Sequence, residues 1–177
     1  RNEREFFNHQ MVEIENGHFG NTMVRNFLHD AFNLLFYTVL ANSKDETLTA
    51  LAAKSLKEVK YHLRHSSNWL IRLGDGTEES NKKVQDSLNK IWQFTGELFE
   101  MDKLDTELLY CGIAVDNASL KEDWDTIVNN TLSQAKLTRP EDTYMATGGK
   151  KGMHTEYLGF ILAEMQFLQR AYPHAKW

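Results

Sequence analysis

Apolar residues recur along this chain in steps of three and four, the spacing of a helix with one buried face. Val24, Phe27, Leu28, Ala31, Leu34, Leu35 and Thr38 keep that step and predict a first helix from about Asn21 to Ala41. Phe32, Phe36 and Val39 project from a neighbouring sector, so this helix is expected to be buried on two sides. The short linker Asn42–Asp45 predicts an antiparallel return, with Asp45 as the N-cap. The second helix should run from Glu46 to Leu73 on a stripe that includes Leu48, Ala52, Leu56, Val59, Leu63 and Leu70. Gly74 and Gly76 are expected to stop it. Thr77 then caps a third helix to about Phe99, with Glu78 and Glu79 in its first turn. Asp102–Ala118 shows no period and is expected to be irregular. Ser119-Leu-Lys-Glu122 has a capping-box pattern and should open a fourth helix carrying Trp124, Ile127, Val128 and Leu132. Arg139-Pro140 breaks the pattern, Gly148 to Gly152 forms a loop, and a fifth helix follows from His154 to Ala171. Residues 1–20 read as a polar lead-in punctuated by Gly17 and Gly20. No stretch alternates at period two, so the expected fold is an all-α helical bundle.

Length and composition narrow this picture. A chain of 177 residues predicts a single domain, 1–177, with a real core. Two prolines leave most of the backbone free to be helical. The formal net charge of −5 argues against a nucleic-acid partner held by bulk charge. One cysteine, Cys111, excludes an internal disulfide and Cys-based zinc patterns, and fits a reducing, cytoplasmic setting. No apolar run reaches membrane-spanning length.

The second helix carries the candidate chemistry. Glu58 and His62 stand four residues apart and share a face, which the pattern assigns to the apolar side. Asp30 lies on the flank of the preceding helix. A carboxylate on one helix and a Glu/His pair on its neighbour is half of a carboxylate-bridged di-metal site. Such sites use Glu-x-x-His, however, and the residue three after Glu58 is Tyr61. His62 is rotated about 100° from the required position. Asp30, Glu58 and His62 therefore read either as a satisfied polar network, a remnant of a metal site, or as a metal site of other geometry. A second feature is the loop Thr147-Gly-Gly-Lys-Lys-Gly152 ahead of a helix start. Lys150, Lys151 and the neighbouring His154 there read either as a contact for a phosphate or carboxylate or as a solvated turn. The Walker spacing is absent. Cys111 has no activating neighbour, and no hydrolase elbow or dinucleotide fingerprint occurs.

Several long motifs, in order along the whole chain, carry a family resemblance. Lys57-Glu-Val-Lys-Tyr-His-Leu-Arg-His65, Arg72-Leu-Gly-Asp-Gly-Thr77, Thr147-Gly-Gly-Lys-Lys-Gly152, His154-Thr-Glu156 and Leu162-Ala-Glu-Met-Gln-Phe-Leu-Gln-Arg170 resemble the structural C subunits of bacterial phenylacetyl-CoA epoxidases, as does the final Trp177. The resemblance implies a ferritin-like bundle that has lost metal binding, in agreement with Tyr61. It implies no cofactor in this subunit. It implies a partner A subunit that carries the di-iron site and binds phenylacetyl-CoA. A small B subunit bridges such heterodimers, and a reductase with FAD and an iron–sulfur centre brings electrons from NADPH. The assembly uses dioxygen to form a ring 1,2-epoxide. The resemblance further implies an N-terminal segment ahead of Arg1, with the family's first bundle helices, so the sequence is expected to be the C-terminal portion of the family domain.

The expectation is thus a non-catalytic scaffold for a di-iron partner in phenylacetate catabolism. The alternatives are a di-iron ferritin-like oxygenase in its own right and a helical adaptor unrelated to oxygen chemistry. Phe32, Phe36 and Val39 are the expected interface on the first helix. Phe160 and Phe167, outside the stripe of Leu158, Ile161, Leu162, Met165 and Leu168, are the expected interface on the last. The expected anion for the Lys150–Lys151 loop is either the phosphates of phenylacetyl-CoA at the subunit interface or an acidic surface of a partner.

Overall fold

Helix α1 (Phe19–Leu40) and helix α2 (Glu46–Gly74) form a long hairpin, and this pair makes the most extensive packing in the molecule. In this computed structural model residues 1–176 are described, so the expectation placed on Trp177 lies outside the described residues. Helices α3 (Glu78–Ile91) and α5 (Lys121–Gln134) close the core against that hairpin. Three shorter helices complete the order: α4 (Lys103–Tyr110), α6 (Glu156–Met165) and α7 (Phe167–Ala171). No strand occurs among the described residues. None of the helices is long and apolar enough to cross a membrane.

The helix starts follow their capping chemistry. His18 Nδ1 accepts from the Asn21 amide at 3.2 Å and opens α1. Asp45 accepts from the Leu48 amide at 2.9 Å and opens α2, as its sequence position predicts. Thr77 and Ser80 exchange side-chain and backbone hydrogen bonds at the start of α3. Phe27 and Leu28 of α1, Leu70 of α2, Leu88 and Ile91 of α3, and Trp124 and Val128 of α5 fill one continuous core. The Trp124 indole N–H donates to the Leu28 carbonyl at 3.0 Å, which fixes α5 against the middle of α1.

Several expectations are corrected. Residues 1–20 are not merely a polar lead-in: Met11, Glu13 and Ile14 are buried. Helix α3 stops at Ile91 and loosens into two 3-10 turns, Trp92–Phe94 and Gly96–Phe99, where Thr95 Oγ1 donates to the Trp92 carbonyl at 2.8 Å. The stretch expected to be irregular contains α4, opened by Asp102 and Asp105 in a reciprocal cap. The Ser119 capping box does not form, because Ser119 Oγ donates back to the Asp116 carbonyl at 2.7 Å. The last predicted helix is divided, with α6 and α7 meeting at Gln166.

Candidate functional site

Asp30 on α1 faces α2 across a cleft of about 380 Å³ lined by Asn26, Tyr61, His62, His65 and Ser66. Its Oδ2 accepts from Ser66 Oγ at 2.8 Å. Burial pushes the Asp30 carboxyl above its ordinary value, against the opposing pull of Ser66, His62 and His65. Glu58 is no part of this cleft, and both Glu58 and His62 are exposed. The apolar stripe of α2 turns Val59 and Ser66 inward instead. Asp30 and His62 therefore share the cleft while Glu58 stands outside it, which corrects the expected network of all three and the expected apolar face. Among the described residues no three His, Cys, Asp or Glu side chains are grouped to hold a metal ion. A carboxylate-bridged iron pair does not fit the residues present here, since it needs such a grouping.

The glycine-rich loop does bind carboxylates, but they are the chain's own. Glu97 is buried, and its two oxygens accept from the Gly149 amide at 2.6 Å and the Gln10 amide at 2.7 Å. A Cβ at Gly149 would lie 2.2 Å from the Asn8 carbonyl, so only glycine admits this approach. Glu13, also buried, supplies the anion at the start of α6. Its Oε2 accepts from the Thr155 amide at 2.7 Å and the Thr155 hydroxyl at 2.8 Å. Its Oε1 lies 2.6 Å from His154 Nδ1 and accepts from Asn8 Nδ2 at 2.8 Å. His154 Nε2 donates to the Phe6 carbonyl at 2.9 Å, and the ring is almost fully enclosed. Lys150 Nζ is held by Asp105. Burial works to raise the Asp105 carboxyl, but the Lys150 hydrogen bond and the backbone amide hold it below the usual carboxylate range. Only Lys151 of the three expected anion contacts is exposed. The sequence reading thus identified a place built for anions and missed that Glu13 and Glu97 occupy it. The signal for Glu13 was present: a lone acid among Met11, Val12 and Ile14.

The expected interface on α1 is also redrawn. Phe32 is 3% exposed and packs edge-on against His9 and Phe99, so it is core. Phe36 is half-buried and stacks on Phe32. Val39 alone of the three is exposed. The last helices differ. Leu158 is buried, whereas Phe160, Ile161, Met165, Phe167 and Leu168 are exposed. Beside them runs an apolar groove of about 400 Å³ between α6 and the N-terminal segment, lined by Phe6, Val12, Ile161, Leu162 and Met165.

A second, half-buried group lies under the N-terminal segment. His9 and His29 meet edge to face at 6.1 Å, and His29 Nδ1 accepts from Asn33 Nδ2 at 2.9 Å. Burial lowers each imidazole from its ordinary value to about 4, assisted by Lys150 at His9 and by His9 itself at His29.

Comparison with known proteins accords with this architecture. The chain is 46% identical, over all of its 177 residues, to the C subunit of the 1,2-phenylacetyl-CoA epoxidase of Escherichia coli (strain K12), and covers 71% of that protein. The family of phenylacetic acid catabolic proteins, whose bundles are ferritin-like, matches residues 1–177. With an all-α bundle and a match from end to end, the chain belongs to the phenylacetic acid catabolic protein family.

Proposed function

We propose that the chain is a non-catalytic structural subunit of a phenylacetyl-CoA epoxidase, scaffolding a separate di-iron catalytic subunit in aerobic phenylacetate degradation. The observation that carries this reading is the solvent-facing apolar surface of α6 and α7. Phe160 is 66% exposed, Phe167 65% and Met165 70%. Covering each such side chain gains roughly 1.5–3 kcal/mol, so a surface of several marks a partner site. The name of the similar subunit, and the place of Glu58 outside the cleft of Asp30 and His62, support the same reading. On it, this chain holds no cofactor of its own. The iron belongs to the catalytic subunit, and NADPH, FAD and an iron–sulfur centre belong to the reductase. The assembly also holds a small bridging subunit, and the whole works in the cytoplasm.

The test uses the full-length protein, alone and co-expressed with the catalytic subunit. Iron should follow the catalytic subunit through purification. Phe160→Ser with Phe167→Ser should weaken the heterodimer at least about tenfold at unchanged helicity. Two irons per isolated chain, lost on Glu58→Ala, would overturn the non-catalytic role. Unchanged assembly of the double variant would remove the apolar surface as its basis.

A further inference from the structure

The exposed face of α2 carries a basic and aromatic ridge that the assembly through α6 does not use. Lys54, Lys57, Arg64 and Arg72 fall on one face at helical spacing, and all four are exposed. None of them takes part in an ion pair among the described residues. Four free cations in line stand out on a chain of net charge −5. Two of them are held in place by aromatic rings. The Arg64 guanidinium sits 5.5 Å from the Tyr61 ring centre, and that of Arg72 5.6 Å from Trp69. Trp69 is itself braced edge-on by Phe19 of α1 at 5.1 Å. A guanidinium over a ring face leaves N–H donors free for a carboxylate.

We propose that this face is a docking surface for the acidic surface of a partner protein that binds transiently. Charge complementarity selects the occupant: unpaired, pre-positioned guanidinium groups match carboxylates, and arginine with Tyr and Trp is the composition of protein contact sites. The groove between Tyr61 and Arg72 is shallow, about 230 Å³, and lies along one helix, which gives a small anion no enclosure. Solvated charges of this kind speed encounter more than they hold a complex together. A permanent subunit fits the apolar surface of α6 and α7, and a transient one fits α2. The inference rests on the reading of the chain as an assembly subunit.

The experiment measures association kinetics of the full-length protein with the purified catalytic subunit, bridging subunit and reductase, each at low and high salt. The variants are Arg64→Glu with Arg72→Glu, checked for unchanged helicity and melting. Association with the bridging subunit or the reductase should slow by about tenfold at low salt and lose most of its salt dependence, while dissociation changes little. Slowing with the catalytic subunit alone assigns the face to the permanent interface and overturns the proposal. Tyr61 and Trp69 should be open to hydroxyl-radical oxidation in the free protein and protected in that complex. Rates within twofold of wild type for all three partners, where the wild type does bind, overturn the docking face and leave the subunit reading standing. Binding to none of the three by the wild type overturns both. Protection of Tyr61 and Trp69 already in the free full-length protein assigns the face to the chain's own fold. Arg-dependent binding of coenzyme A or a DNA duplex assigns it to polyanions. Either result overturns the proposal.

Discussion

Individual buried groups set the acid limit of this fold. His9 and His29 are neutral in the folded state, with pKa values lowered by burial to about 4 from an ordinary 6.5. Their unfolded counterparts take up protons as pH falls through 6.5, while the folded groups do not until about 4. The unfolded state then binds more protons, so stability is full above 6.5 and is lost between 6.5 and 4. The loss for the two coupled imidazoles together is on the order of 2–4 kcal/mol by pH 5. Asp30 has the opposite sign, because its raised carboxyl favours the folded state more as it protonates. Denaturant midpoints measured from pH 7.5 to 5 should fall, and His29→Gln should flatten the fall by about half. An identical slope in the variant would show that the His29 imidazole is not a responsible group. None of this was legible in the sequence. His9 sits in a segment that reads as polar, and His29 has no residue pattern to mark it as enclosed. Their burial comes from the N-terminal segment folding back over α1.

At the scale of helices, local chemistry was readable wherever it used the usual residues. Asp45 and Thr77 cap α2 and α3 where the sequence places them. Helix α4 was missed because its reciprocal cap uses Asp105 where the familiar pattern has Glu or Gln. Its end did carry a signal: Gly112, at φ +76°, closes the helix, its amide donating to the Leu109 carbonyl and that of Ile113 to the Leu108 carbonyl. Helix α5 ends in the same way at Lys136, φ +53°, a residue that gives no such signal. Gly74 ends α2 as expected, and it has a packing role besides. It is helical, and a Cβ there would lie 2.2 Å from the Ala135 carbonyl oxygen. Asn81 Nδ2 locks the junction by donating to the Gly74 carbonyl at 2.7 Å and the Lys136 carbonyl at 3.2 Å. Gly74→Ala gains about 1 kcal/mol of helix propensity but forces α2 and α5 apart at a cost near 3 kcal/mol. The net expectation is a loss of about 2 kcal/mol in urea unfolding. A stabilised variant would mean that the glycine serves helix termination and that α5 yields freely.

The whole molecule is tied together by carboxylates that sequence periodicity cannot see, because they link residues far apart in the chain. Glu97 joins the amide of Gln10 to that of Gly149, and Glu13 joins Asn8 to His154 and Thr155. The N-terminal segment and the glycine-rich loop are therefore stapled to each other and to the 3-10 turn Gly96–Phe99 that carries Glu97. Apolar packing does less there: α6 buries only Leu158 fully, and α7 buries nothing. The α6–α7 surface assigned to a partner thus depends on buried polar bonds for its position. Glu13→Gln keeps the size of the side chain but removes the charge facing His154 and puts an amide N–H₂ where one of two acceptors stood. Such a change costs about 3–5 kcal/mol when a buried pair loses one member. The loss should be regional, because Glu13 bonds to Asn8, His154 and Thr155 and to no residue of α1, α2, α3 or α5. Hydrogen exchange should show residues 1–14 and 149–171 losing protection together, by about a hundredfold or more, while the amides around Leu28 and Trp124 keep theirs. Uniform loss across all helices would mean that the clamp and the bundle unfold as one unit, and that the α6–α7 surface cannot loosen without the core.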